Sequence, residues 1–303
     1  MKGCLMAFYL CFIGCLGWAI ADAKEPEGRI SKKNDLTIGL IPEQNVFRQV
    51  DRYTPLADYL SGKMGVKTKL KILLRYGSVI ESLTSAEMDG AFFGSFSYVL
   101  AHTKIGVEPL VRPENEDGSS TYHGLIFVRK DSRIENVKDM AGKRFAFVDR
   151  ATTAGFLLPL EYFKRYGVEN YKAYLKEVYF SGTHQDAIYD VLNKKADIGA
   201  AKNTVFNRLA AADGRISRDL KILARSPDVP ENCLAVRKDI DISLRTALLQ
   251  ALLSMHEDPA GQIVLKNLGI KRFIRTSDKD YAPVYDYSNR IGLNLATYDY
   301  VGD

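Results

Sequence analysis

Apolar residues recur along the chain in two alternating patterns. A continuous apolar stretch, Leu36-Thr37-Ile38-Gly39-Leu40-Ile41, ends at Pro42 and reads as a buried strand. Tyr53 to Met64 places Leu56, Tyr59 and Leu60 on one face, with Gly65 just beyond, and reads as a helix. Val66 to Leu74 is a strand, Val79, Ile80 and Leu83 mark a short helix, and Asp89 to Phe93 is a strand. Gly94 to Tyr98 then leads into a helix through His102. Glu108 to Arg112 is extended, Glu114 to Ser120 is a polar loop, and Tyr122 to Val128 is a strand. The pattern then restarts, with strands at 144–148, 177–180 and 196–200 and helices at 153–166, 184–194 and 204–212. Leu220 to Ala224 and Cys233 to Arg237 are extended, and helices follow at Ser243 to Met255 and Gly261 to Leu268. The Tyr-rich tail from Arg275 to Leu293 reads as irregular. Strands alternating with helices at this spacing predict βα units and mainly parallel sheets, built twice over.

The ends of this pattern set the expected domains. Residues 1–23 carry a lysine, an apolar run and small residues at Ala19, Ala21 and Ala23, the make-up of an export signal. A polar lead occupies 24–35. The first lobe is expected from 36–125 plus 235–303 and the second from 126–234, with crossovers near 122–129 and 222–235. Two lobes joined by two crossing strands predict a binding protein that closes a cleft. Phe12-Ile13-Gly14-Cys15 offers an alternative processing site that would acylate Cys15. Cleavage after Ala21 or Ala23 removes Cys4, Cys11 and Cys15 and leaves Cys233 alone, so neither an internal disulfide nor a multi-cysteine metal site is available.

The stretch Phe147-Val148-Asp149-Arg150-Ala151-Thr152-Thr153-Ala154-Gly155 takes a strand through a polar turn into a helix. The first helical N–H groups have no intrahelical partner, and the peptide dipoles make that end partly positive. Two hydroxyls beside free amides suit a phosphate-like oxyanion; a plain N-cap by Thr152 or Thr153 is the competing reading. Gly94–Tyr98 and Ser181–His184 are junctions of the same kind, where open α/β sheets hold their ligands. Arg150 beside the loop either reaches the anion or pairs with Asp149 or Glu161.

With these junctions in place, the chain resembles the phosphate/phosphite/phosphonate family of periplasmic substrate-binding proteins over about 36–285. The resemblance rests on Pro55-Leu56-Ala57-Asp58-Tyr59-Leu60 with Gly65-Val66, and on Phe92-Phe93-Gly94-Ser95-Phe96-Ser97-Tyr98. It rests further on Tyr122-His123-Gly124, Asp149 to Pro159, and Gly182-Thr183-His184 with Ala187. It implies the type 2 periplasmic-binding fold, with two α/β lobes of mainly parallel sheets and the ligand in the cleft. It also implies a small oxyanion ligand, a periplasmic location, and an ABC permease in the inner membrane as partner. By position it assigns oxyanion hydrogen bonds to Thr152, Thr153 and the Ala154 amide, and a ring N–H donor to His184. Tyr122 is placed across the cleft, Tyr98 and Ser95 in the first lobe, and Phe93 where the family can carry a tyrosine. Asn232 falls where members that bind aminoalkylphosphonates carry a carboxylate, and Lys202-Asn203-Thr204 also lacks an acid, although Asp228 and Glu231 are nearby. A buried ammonium without an acid partner is costly. The expected ligand is therefore phosphite, phosphate or a small alkylphosphonate.

Composition narrows the alternatives. The 303 residues are 46% hydrophobic and 26% charged with a net charge of +5, and lack a basic run of the kind nucleic-acid binding needs. The motifs Gly-x-Ser-x-Gly, Gly-x-x-x-x-Gly-Lys-Ser/Thr and His-Glu-x-x-His do not occur, and His102, His123, His184 and His256 lack ligand spacing. A binding protein without catalysis, cofactor or metal is expected, acting as a monomer, with ligand sensing for a membrane receptor as the rival use of the same fold.

Overall fold

The computed structural model describes residues 35–301. The expected export signal at 1–23, Cys15, and nearly all of the polar lead lie outside these residues. The described residues belong to one compact unit by their internal contacts. They contain two main sheets and a two-stranded one. The first is built from β1 (Asp35–Leu40), β2 (Lys67–Ile72), β3 (Gly90–Phe93) and β4 (Glu108–Glu114), then β12 (Cys233–Val236) and β13 (Arg272–Arg275). Its order is β13-β4-β12-β3-β1-β2. The second contains β6 (Gly124–Arg129), β7 (Arg144–Phe147), β8 (Glu177–Phe180), β9 (Ile198–Lys202) and β10 (Leu220–Arg225) in the order β10-β6-β9-β7-β8. Where the chain passes between them, β5 (Thr121–Tyr122) pairs antiparallel with β11 (Val229–Pro230).

Each sheet is mixed rather than mainly parallel. Parallel pairing is confined to β2-β1-β3 and β8-β7-β9, the strands linked by helices. The remaining pairs are antiparallel, because β12 returns from the second sheet and inserts between β3 and β4. On the second sheet β6 arrives from the first and pairs antiparallel with both β9 and β10.

The first helix and the tail differ most from the sequence pattern. The first helix runs from Val46 to Met64 rather than from Tyr53, since the Asn45 side chain accepts the Phe47 and Arg48 N–H groups. Thr54-Pro55 imitates a helix start, yet Pro55 lies inside the helix. The tail is not irregular. A reciprocal cap between Ser277 and Asp280 starts a helical turn, Asp278–Tyr281, which continues as helix Ala282–Arg290. Its buried face is Val284, Tyr287 and Ser288, a helical spacing.

Three apolar clusters hold the elements in place. Leu36, Ile38, Leu40 and Phe92 pack one face of the first sheet with Leu56, Leu60, Leu248 and Leu265 from three helices. Phe145, Phe147, Phe156 and Phe163 fill one side of the second sheet. The third cluster joins the two halves, from Phe93, Phe96 and Tyr98 to Phe127, Val148 and Leu157. It delivers the end of β7 and the start of helix Ser95–Ile105 to the same place. The turn beyond β7 is packed so closely that a Cβ added at Gly155 would overlap the Val148 side chain and lie 2.8 Å from Thr152 Oγ1. Gly155→Ala is therefore expected to destabilise the protein by about 1–3 kcal/mol, the usual cost of overpacking. Urea unfolding of the variant checks this, and an unchanged midpoint would contradict it.

Candidate ligand-binding site

The turn after β7 is held by its own backbone. Asp149 Oδ1 accepts the Ala151 N–H at 2.8 Å, and Asp149 O accepts both the Thr152 N–H at 3.0 Å and the Thr152 hydroxyl at 2.6 Å. Thr152 occupies the N-cap position without a side-chain cap, because its hydroxyl is committed to the turn. The chain continues as a π-helical turn, Thr153–Leu157, before the α-helix Leu158–Arg165. Leu157 N–H donates to Thr152 O at 3.1 Å. This wider turn places the amides of Thr153, Ala154, Gly155 and Phe156 ahead of the first intrahelical bond, and π turns of this kind recur at functional sites. Arg150 lies with its guanidinium 5.2 Å from the Phe180 ring centroid.

A second helix start faces the first. The Phe96 N–H, at the head of helix Ser95–Ile105, donates to Thr153 Oγ1 at 2.9 Å. Both ends carry partial positive charge, so bringing them together is unfavourable unless negative charge lies between them. The Ser95 and Tyr122 hydroxyls adjoin the pair. Ser95 Oγ lies 3.0 Å from Tyr122 Oη and 2.6 Å from Pro230 O, and its hydroxyl donates to one of them at a time. Burial raises the Tyr122 pKa, with Lys202 opposing, so the phenol remains an O–H donor.

His184 begins helix His184–Leu192, behind the capping side chain of Thr183. Its Nδ1 accepts the Lys202 backbone N–H at 3.3 Å, which leaves the proton of the neutral ring on Nε2. Burial lowers its pKa from 6.5 to about 4, and Lys202 and Arg208 assist against an opposing effect of Glu43. At neutral pH it is an uncharged N–H donor.

Tyr76 was not singled out from the sequence. It lies edge-on to His184, with ring centroids 6.2 Å apart, and is 2% exposed. Its hydroxyl has no hydrogen-bond partner among the described residues. An orphaned buried hydroxyl costs about 1–3 kcal/mol and marks a place where a ligand acceptor fits. The signal was available, because Tyr76 sits between β2 and helix Ser78–Thr84, a fourth strand-to-helix junction.

Lys202 was also missed as a site residue. It ends β9 and is buried, with Nζ 2.6 Å from Glu231 Oε2, 3.1 Å from Asn232 Oδ1 and 3.7 Å from Glu43 Oε1. Asn232 Nδ2 donates to Glu43 Oε1 at 2.7 Å. Although burial raises the Glu43 pKa, Lys202 and then His184 and Arg208 hold it down to about 2. Glu43, Arg52, Lys202, Arg208, Glu231 and Asn232 line a cavity of about 260 Å³. Of the residues expected from the sequence, only Asn232 lines it. Thr153, Ala154, Ser95, Tyr122 and His184 are all buried, and Tyr122 and His184 lie against Lys202.

The structure sends two expected residues elsewhere. The Tyr98 hydroxyl donates to Asp278 Oδ1 at 2.8 Å, and its ring lies 4.5 Å from that of Tyr281. Phe93 is fully buried edge-on against Tyr98. Ala154 packs toward Gly124, where an added Cβ would come within 3.4 Å of it.

Two mixed α/β halves joined by crossing strands, with helix starts buried where they meet, define the type 2 periplasmic-binding fold. The sequence profile of the ABC transporter phosphonate periplasmic substrate-binding protein family matches residues 38–281, and the chain belongs to that family. It is 23% identical over 271 residues to the phosphonates-binding periplasmic protein of Escherichia coli, covering 88% of this chain and 80% of that one. A binding-protein component of an ABC phosphonate transporter from Pseudomonas aeruginosa superposes with a TM-score of 0.79 at 20% identity, covering 84% of this chain and 85% of that one. PhnD1 from Prochlorococcus marinus, solved in complex with methylphosphonate, gives 0.77 at 20% identity over 85% and 98% of the two chains. The chain is thus a substrate-binding transport protein and not an enzyme, and among the described residues no helix is long and apolar enough to cross a membrane.

The His184 shift carries a pH signature. From about pH 6.5 down to about 4 the unfolded chain takes up a proton at this ring that the folded chain refuses. Stability should therefore fall as pH drops through that window, by up to about 3 kcal/mol. Urea unfolding across pH checks this. His184→Gln should lose this part of the slope, and parallel curves for the two proteins would contradict the assignment.

Proposed function

We propose that the protein captures a small phosphorus oxyanion (phosphite, phosphate or an alkylphosphonate) and presents it to the membrane permease of an ABC importer. The observation that carries this reading is the meeting of two helix starts at the Phe96–Thr153 hydrogen bond. The orphaned Tyr76 hydroxyl and the Nε2–H of His184 supply further buried donors. On binding, the Thr153 and Ala154 amides and the Thr153 hydroxyl take some oxygens. Tyr76, Tyr122 and His184 take the others, and Ser95 fixes the Tyr122 hydroxyl. Every donor in this cradle is a neutral dipole, so an oxyanion is desolvated at acceptable cost only if nearly all its oxygens are met. Thr152 shapes the turn, and Phe93 and Tyr98 form the wall behind it.

Capture is coupled to movement of two lobes, 36–125 with 235–303 against 126–234, about the crossovers near 122–129 and 222–235. Ligand favours the closed arrangement because only there do donors from both lobes reach it. The methylphosphonate complex of the related PhnD1 supports a ligand of this size.

Thr153→Ala should weaken methylphosphonate binding by about 1–3 kcal/mol, by leaving buried polar groups unpaired. Tyr76→Phe should weaken it similarly while raising the stability of the ligand-free protein by about 1 kcal/mol, since an orphaned hydroxyl is removed. Calorimetric titration and thermal unfolding read both effects. Unchanged dissociation constants in the two variants would contradict the site.

A further inference from the structure

We propose that Lys202 is an internal substitute for a ligand ammonium group, and that it sets this site for phosphorus oxyanions without an amine. The proposal rests on the oxyanion reading above and adds what selects among such ligands.

The surroundings of the Lys202 ammonium are those that recognise a free alkylammonium ion. Lys202 Nζ donates to a carboxylate oxygen of Glu231 at 2.6 Å and to the amide oxygen of Asn232 at 3.1 Å, and a carboxylate oxygen of Glu43 lies at ion-pair distance, 3.7 Å. The Tyr122 ring closes the remaining side, with its centroid 4.3 Å from Nζ. Three separate segments supply this cage: the loop after β1, the crossover strand before β6, and the return crossover after β11. The Lys202 side chain is 6% exposed and that of Glu231 is 5% exposed, so the charges are removed from water and matched to each other.

The cage shares a residue with the oxyanion cradle. The face of Tyr122 covers the Lys202 ammonium, while its hydroxyl stands 3.0 Å from Ser95 Oγ among the cradle donors. The Lys202 backbone N–H also holds the His184 ring. A ligand bearing an amine a few bonds from phosphorus would therefore direct that amine at the cage. With Lys202 inside, the amine meets a like charge and acceptors already in use, which is repulsion built against a competing ligand. A phosphorus oxyanion with a small or absent substituent does not reach the cage and is unaffected. The replacement of an expected acid by Asn232 takes on a meaning here: the carboxylates that remain, Glu231 and Glu43, serve the protein's own ammonium.

The test compares methylphosphonate with 2-aminoethylphosphonate by calorimetry on wild type, Lys202→Ala and the double variant Lys202→Ala/Glu43→Gln. The double variant lowers the surplus negative charge that could prevent the single variant from folding. Wild type should prefer methylphosphonate. In either folded variant the preference should shift toward 2-aminoethylphosphonate by about tenfold or more, the scale of one charge-assisted hydrogen bond. Ethylammonium chloride should raise the melting temperature of Lys202→Ala beyond the effect of sodium chloride and leave wild type unmoved. An unshifted preference in a folded variant would overturn the proposal, as would loss of both ligands, which would place Lys202 on the oxyanion itself. If neither variant folds, wild-type selectivity decides, and tighter binding of 2-aminoethylphosphonate overturns the proposal. Failure of wild type to bind any phosphorus oxyanion would instead overturn the proposed function, and the ethylammonium response would still report on the cage.

Discussion

The structure depends on a contact between two helix beginnings. Phe96 N–H and Thr153 Oγ1, 2.9 Å apart, join segments that follow β3 in the first sheet and β7 in the second. Two partly positive helix ends do not meet in an apolar core without a reason. The apolar cluster that runs from Phe93 and Phe96 to Val148 and Leu157 forces them together. The free energy of burying that cluster offsets the local electrostatic cost, and an anion between the ends would turn the cost into affinity.

Charge is sorted around this point. The groups nearest the contact are uncharged donors: amides, tyrosine hydroxyls and a histidine whose burial keeps it neutral near pH 7. Formal charges lie one step away, where Lys202 pairs with Glu231 and, together with Arg208, holds Glu43 ionised. A neutral cradle beside a self-satisfied ion group can accept an oxyanion without a fixed counter-ion. Fixed dipoles in a dry site do the work that a lysine or arginine performs at an exposed one.

Much of this was legible in the sequence, and the limits have physical causes. The strands and the three principal strand-to-helix junctions follow from local periodicity and turn residues, and so does the Thr152-Thr153 loop. Mixed pairing was not legible, because the insertion of β12 between β3 and β4 is a long-range choice that no local pattern records. The helix Ala282–Arg290 was hidden because only Val284, Tyr287 and Ser288 are buried on it, too short an apolar stripe to stand out in a Tyr-rich tail. Tyr98 fits the site by position in the sequence, yet its hydroxyl turns to Asp278, a partner 180 residues away. Lys202 reads as an ordinary cation closing a strand. Only the fold shows that three distant segments enclose it.

The most direct test is calorimetric titration of the wild-type protein, stripped of bound ligand by unfolding and refolding. Phosphite, phosphate and methylphosphonate would be titrated in turn, with sulfate as the control anion. The account predicts tight, saturable binding of at least one phosphorus oxyanion and markedly weaker binding of sulfate. Silence across the panel, or sulfate binding as tightly as the best of the others, would contradict it.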